Sequence, residues 1–215
     1  MWHDIEQNSD EWFLLRAGKV TASSLNKVMA NYGKAFGEPA KKYAADIAVQ
    51  QLTGVASGGG YSNDHMDRGH EEEPLARMEY EARYFCEVTN GGFFNNGDTG
   101  TSPDGLVSHD GMIEIKSALP SIHYERIKKQ SYDSAYKWQL VGHLKFTGRD
   151  WVDFVSYCSS FPDERKLYVH RSDPDDFKEE FKMVDIRLDE FRELIESTKR
   201  IILDSNYSVI KGAKP

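Results

Sequence analysis

Three side chains set the chemistry open to this sequence. Asp104 stands in Ser102-Pro103-Asp104-Gly105-Leu106, and nine residues separate it from Glu114-Ile115-Lys116. Side chains alternate along a strand, so Glu114 and Lys116 would share one face while Ile113 and Ile115 turn to the other. An acid and an amine then project side by side from a strand that is apolar behind. Asp104 precedes a glycine, which suits a turn, and a hairpin would bring it beside Glu114. Two converging carboxylates form a hard-oxygen site suited to magnesium or manganese. The ammonium next to them can orient or activate a water and offset charge on a phosphate. These are the parts of phosphodiester hydrolysis. The same string also fits a plain hairpin whose wet face carries Glu114 and Lys116.

Further residues bear on that choice. Glu73, in Arg68-Gly69-His70-Glu71-Glu72-Glu73-Pro74-Leu75, is an acid on a helix that can complete the surroundings of a metal site. The run Glu71 to Glu73 by itself reads as a solvated helix start, where acids favour the dipole. Gln139 shares a helical turn with Tyr136, Gly142 and His143, which suits either a site or a satisfied core. Arg16 precedes Thr21-Ala22-Ser23-Ser24. Arginine and a helix N-terminus both attract phosphate, although a surface arginine and an ordinary cap read the same way. Lys41, Lys42 and Arg126 are basic residues able to follow a nucleic-acid backbone.

The elements that must position these groups follow from periodicity. Ser9 caps a helix through Trp12, Leu15 and Arg16 that Gly18 ends, and Thr21–Ser24 caps a second through Leu25 and Met29. Pro39 to Leu52 has helical spacing of Ala44, Ile47, Ala48 and Leu52. Thr53 to Asn63 holds Gly58-Gly59-Gly60 and reads as a flexible loop. A charged helix spans about Asp67 to Phe85. From Gly91 to Ser117 the turn residues punctuate short runs, which reads as a strand meander. Helix returns at Ser134 to Lys145, strands at Trp151–Cys158 and Lys166–His170. A closing helix has Leu188, Phe191, Leu194, Ile195, Thr198 and Ile202 on one face. The order predicts a mixed α/β (α+β) fold, a central mixed β-sheet flanked by helices.

Composition sets outer bounds. With 215 residues, 39% hydrophobic and 12% aromatic, the chain has material for one folded domain, read as residues 1–215. A net charge of −8 argues against non-specific coating of nucleic acid, but not against an enzyme that meets DNA in a groove. Two distant cysteines, Cys86 and Cys158, exclude a disulfide scaffold and are expected as buried, reduced thiols. No membrane-length apolar run or secretory leader is read, so a cytoplasmic protein with no membrane partner is expected.

Taken in order, the motifs resemble the lambda-exonuclease family, the YqaJ-like viral recombinase nucleases of the PD-(D/E)xK superfamily. The blocks are Trp12 with Leu15-Arg16, then Gly18, Val20-Thr21-Ala22-Ser23, and Thr53-Gly54-Val55-Ala56. Gly69 with Glu73, Ser102-Pro103-Asp104-Gly105-Leu106, Glu114-Ile115-Lys116 and Gln139 follow. The match runs from about residue 12 to residue 139, and no motif is matched beyond.

The resemblance implies a restriction-endonuclease-like core. It also implies an enzyme that digests one strand of double-stranded DNA processively from the 5′ end, leaving a 3′ single-stranded tail. It implies Mg2+ (with Mn2+ able to substitute), a ring-shaped homotrimer, a single-strand annealing recombinase as partner, and a phage or prophage origin. Carried onto this sequence, Asp104, Glu114 and the Ile115 carbonyl are metal ligands. Lys116 handles the water, and Glu73 and Gln139 support it. Arg16, Ser23 and Ser102 hold the 5′-phosphate. Met66 falls near the family's strand-splitting wedge, where ordinary packing is the other reading. The loop after Val55 is read as longer than in lambda exonuclease. The competing functions are an endonuclease, nickase or 3′-directed nuclease on the same core, and an inert DNA-binding recombination scaffold. The intact Asp104, Glu114 and Lys116 speak against the scaffold. An unrelated metal-dependent hydrolase of small substrates is disfavoured because Gly58-Gly59-Gly60 lacks the following Lys-Ser/Thr of a nucleotide-cradling loop.

Overall fold

The computed structural model describes residues 1–56 and 64–204, with residues 64–67 as backbone only. Two sheets organise the chain. The larger has the order β3 (Val88–Thr89), β6 (Gly105–Val107), β7 (Gly111–Ser117), β8 (Trp151–Tyr157), β9 (Leu167–Ser172). Only β7 and β8 run parallel within it, with Glu114 opposite Phe154 and Lys116 opposite Ser156. A parallel pair needs a crossover, here supplied by helices α5 (Pro120–Lys129) and α6 (Lys137–Thr147). The smaller sheet has the order β1 (Trp2–His3), β4 (Phe93–Asn96), β5 (Thr99–Thr101), β2 (Val20–Thr21). The expected meander is therefore split, because β4 and β5 pair with N-terminal strands and only β6 and β7 join the large sheet.

Alternation along β7 assigns its two faces. Met112 packs into a core with α6, α2 (Leu25–Met29), α3 (Glu38–Thr53) and α7 (Lys178–Leu203). Ile113 and Ile115 pack with Ala76 and Tyr80 of α4 (Asp64–Tyr84). Helix α6 is buried over most of its surface, including Leu140, Val141, His143 and Leu144, as a helix pressed between layers must be. Ser9 caps α1 (Asp10–Arg16) as expected, its hydroxyl accepting from the Trp12 amide at 3.2 Å.

Several expectations are corrected. Helix α5 went unread because its buried positions are His123 and Arg126, so the apolar period is silent there. Residues Ala22–Ser24 form a 3-10 turn without a side-chain cap, and Thr21 Oγ1 lies 3.2 Å from Ser23 Oγ instead. Helix α6 likewise begins after a 3-10 turn at Ser134–Tyr136. Ile202 is exposed, because the end of α7 outruns the core. Of the two free cysteines, Cys158 is buried and Cys86 only half-buried. Gly58–Gly60 and the Met66 side chain lie outside the described residues.

Helix α7 also latches α2 through a cation. Arg187 is 2% exposed, and its guanidinium donates to the carbonyls of Val28 (3.0 Å), Lys34 (3.1 Å) and Ala30 (3.3 Å). It thereby supplies donors that the end of a short helix lacks. Replacing Arg187 by Leu should cost about 3 kcal/mol through buried carbonyls left without donors. The check is the urea midpoint at unchanged m-value.

Candidate active site

The β6–β7 hairpin brings Asp104 to Glu114. The Asp104 amide donates to the Ile113 carbonyl at 3.0 Å, and its Oδ2 accepts from the Ile115 amide at 2.6 Å. The amide and carbonyl of one strand residue face the same edge, so the Ile115 carbonyl turns toward Asp104. The backbone before Asp104 is closely held. Gln7 Nε2 donates to the Pro103 carbonyl at 2.9 Å, and a Cβ at Gly91 would fall 1.7 Å from that oxygen. Arg77 of α4 donates to the Asp104 carbonyl.

Glu114 is 1% exposed, so it is no wet hairpin face. Its Oε1 accepts from the Lys116 ammonium and from Gln139 Nε2 at 2.6 Å, while Oε2 lies 2.6 Å from His143 Nε2. His143 Nδ1 is 2.7 Å from the Thr101 hydroxyl. An Nε2–H donating to Glu114 leaves Nδ1 to meet the hydroxyl, which can donate or accept. His143 was not assigned to the site from sequence, although it lies one helical turn from Gln139 and must share its face.

Helix α6 can deliver Gln139 and His143 because Gly142 lets it approach the Ala22 turn. A Cβ there would lie 2.7 Å from that of Ala22. On the other side, Ser117 Oγ donates to Glu72, Ser159 Oγ donates to the same carboxylate, and Arg68 Nε donates to Ser117 Oγ at 3.0 Å. Glu72 thus clamps α4 over the ends of β7 and β8. Glu73, the next residue, lies 4.0 Å from Arg77 and faces the charges of Glu114 and Lys116 without a hydrogen bond to either.

The charges are unbalanced. Burial pushes the Glu114 carboxyl up, but Lys116 and His143 outweigh it and hold the group at about 2. Burial, reinforced by the Glu114 charge, raises Asp104 well above the usual carboxylate range. Burial also raises Glu73, against the pull of Arg77. Burial disfavours the Lys116 ammonium, yet Glu114 and Asp104 hold its pKa above normal. Asp104 and Glu73 thus hold their protons more tightly than usual beside an ionised Glu114, and a hard divalent cation bound between the carboxylates would take the place of those protons.

The donor set fits such a cation. Asp104, Glu114 and the Ile115 carbonyl offer oxygen, and both His143 nitrogens are engaged elsewhere. Among the described residues no group of three or more acidic, histidine or cysteine side chains is placed to hold a metal ion. That leaves coordination open to water or substrate oxygens, as magnesium prefers. The adjoining cavity, about 640 Å³, is lined by Glu73, Asp104, Lys116, Arg68, Arg126 and Tyr136 among others.

The second expected cluster also assembles in part. The Arg16 guanidinium carbon lies 3.9 Å from the Trp12 ring centroid, and Trp12 Nε1 donates to Ser102 Oγ at 2.7 Å. Burial lowers Arg16 to about 10. Ser23 is exposed and joins only indirectly, through Thr21, whose amide donates to the Tyr43 hydroxyl at 3.0 Å. Of the expected backbone-tracking residues, Arg126 lines the cavity beside the carboxylates, whereas Lys41 pairs with Glu38 on the surface and Lys42 is exposed.

The model of the YqaJ-like viral recombinase domain matches residues 11–150, a span holding Asp104, Glu114, Lys116, Gln139 and His143 as well as Trp12, Arg16 and Ser102. The chain belongs to the YqaJ-like viral recombinase family. An alkaline exonuclease, LHK-Exo from Laribacter hongkongensis, is 35% identical over 90% of this chain and 98% of its own, with a TM-score of 0.75. The structure of LHK-Exo in complex with dAMP is similar at 36% identity over the same shares, TM-score 0.76. A phage-related exonuclease from Haemophilus somnus 129PT shares the fold at 15% identity and TM-score 0.67, covering 86% of this chain and 95% of its own. No curated protein matches the chain. The enzyme class read from the sequence is the class of these solved relatives, and the PD-(D/E)xK-type fold is as expected.

Two substitutions test how this YqaJ-like site is held together. Gln139→Ala should cost about 10–100-fold in turnover and lower the melting temperature by a few degrees, because buried Glu114 loses a donor. Gly142→Val should lower both, by driving α6 off the Ala22 turn and Gln139 off Glu114.

Proposed function

We propose that this chain is a magnesium-dependent exonuclease that digests one strand of duplex DNA from the 5′ end and releases mononucleotides processively. The observation that carries this reading is a spacing. Ser102 and Asp104 are two residues apart on one anchored segment, the first tied to the Trp12–Arg16 pair and the second to Ile115 at the carboxylate site. A 5′-terminal phosphate held by Arg16, Ser102 and Ser23 would therefore stand at a fixed distance from the bond to be cut. That a relative was solved with dAMP supports a mononucleotide product.

Asp104, Glu114 and the Ile115 carbonyl would hold Mg2+, or Mn2+ in its place. The bound ion would polarise a water and offset charge on the phosphate. Lys116 orients that water and keeps a positive charge beside the reacting oxygens. Gln139 and His143 fix Glu114 so that its oxygens do not rotate away, and Glu73 adds negative charge at the cavity wall. Duplex DNA is the substrate, and the tail left behind is the form a single-strand annealing recombinase takes up. A homotrimer ring, that partner and a phage-type origin in a bacterial cytoplasm belong to the same proposal. A ring would supply processivity by enclosure, without requiring a basic exterior on a chain of net charge −8.

The test uses linear duplex with a 5′-phosphate at one end, a 5′-hydroxyl at the other and a distinct label on each strand. Covalently closed circles run beside it. Loss of the phosphorylated strand alone, with circles intact, is expected. Cutting of circles would move the activity to an endonuclease on the same core, and no digestion with any metal would leave a DNA-binding scaffold. Lys116→Ala should slow digestion on the order of 10²–10⁴-fold, and full activity in that variant would remove Lys116 from the mechanism.

A further inference from the structure

Arg126 projects from α5 beneath the catalytic cavity and is 5% exposed. Its Nη1 donates to Ser156 Oγ at 2.9 Å and lies 3.5 Å from the Lys116 carbonyl. Its Nε is buried and makes no hydrogen bond. The guanidinium carbon lies 5.1 Å from the Phe154 ring centroid and 5.7 Å from that of Tyr136. Among the described residues no carboxylate forms an ion pair with it; the Tyr136 side chain hydrogen-bonds it, and Asp133 acts on it from farther away.

A buried guanidinium without a counter-charge is costly unless an anion arrives to meet it. The head group is also held in place. Ser156 Oγ, which receives Arg126, lies 2.8 Å from His123 Nδ1, and His123 Nε2 is 2.9 Å from the Arg165 carbonyl. A second arginine flanks the same strand end, since Arg68 lines the cavity and donates to Ser117 Oγ. Both guanidinia are thus fixed to the last residues of β7, beside the carboxylates where hydrolysis is placed. A planar fork of N–H donors matches the oxygens of phosphate as it does those of carboxylate, and phosphate is the anion that a nucleic-acid strand brings to this cavity.

We infer that Arg126, with Arg68, forms a second phosphate subsite in this cavity, one that grips an internal phosphodiester of the digested strand. It is distinct from the terminal-phosphate pocket at Arg16, and the inference rests on the nuclease reading above. The subsite positions the strand so that its next bond lies at Asp104 and Glu114.

The probe is a fluorescent 5′-phosphorylated duplex, bound to protein carrying Asp104→Asn to stop hydrolysis, with anisotropy read from 50 to 200 mM salt. Adding Arg126→Gln should weaken binding about tenfold and flatten the slope of log affinity against log salt by about 0.7–0.9, the loss of one phosphate contact. In the active background KM should rise more than kcat falls. Arg126→Lys should keep the salt slope and regain part of the affinity.

Unchanged affinity and slope in Arg126→Gln would overturn the subsite. If Arg126→Gln does not fold, replacing backbone phosphates one at a time by neutral methylphosphonates decides. One internal position should matter less in Arg126→Lys than with Arg126 intact, and equal losses at every position would overturn the inference. Digestion by the unaltered protein with an indifferent Arg126 removes this subsite alone. Neither binding nor digestion by the unaltered protein removes the nuclease reading with it.

Discussion

Glu114 is a carboxylate on the central strand of a buried sheet, and a charge there needs partners at both oxygens. Much of the surrounding architecture provides them. Lys116 comes from the same strand face, and Gln139 and His143 come from α6. Helix α6 can reach Glu114 because Gly142 lies against Ala22, and His143 is braced in turn by Thr101. Removing any one partner leaves a charge in low dielectric with too few donors, so the arrangement tolerates little drift.

The same constraint joins two functions that could have been separate. Residues 101–104 form a segment whose members are each fixed to a different part of the chain. Thr101 meets His143, Ser102 meets Trp12, the Pro103 carbonyl meets Gln7, and Asp104 meets Ile115. A shift at Trp12, where Arg16 stacks, would be carried through three residues of held backbone to the carboxylate site. On the proposed reading, this geometry would couple recognition of a strand end to hydrolysis through a short covalent link.

Much of this was legible in the sequence, for identifiable reasons. Alternation placed Glu114 and Lys116 on one face and the two isoleucines on the other, and the Asp104–Gly105 turn returned a carboxylate to them. The helices with regular apolar spacing were visible. What escaped notice is polar and buried. Helix α5 buries His123 and Arg126, so it shows no apolar period. Arg187 sits among buried apolar residues of α7 and reads as an interruption, although it closes the end of α2. Glu72 looked like a solvated helix start, because nothing in its neighbourhood announces two serines from distant strands. Long-range polar pairing leaves no periodic trace, whereas burial of apolar faces does.

The central claim is that a buried Glu114, kept ionised, makes a cation site with Asp104. Calorimetric titration of Mn2+ into the unaltered protein and into Glu114→Gln and Lys116→Met tests it without reference to DNA. Glu114→Gln keeps the volume and one acceptor oxygen but loses the charge, and it should abolish binding while the fold persists. Lys116→Met removes the ammonium that competes for the same oxygen, and it should bind at least as tightly as the unaltered protein. Equal Mn2+ affinity in Glu114→Gln and the unaltered protein would contradict the account, because the buried charge would then have no part in holding a metal.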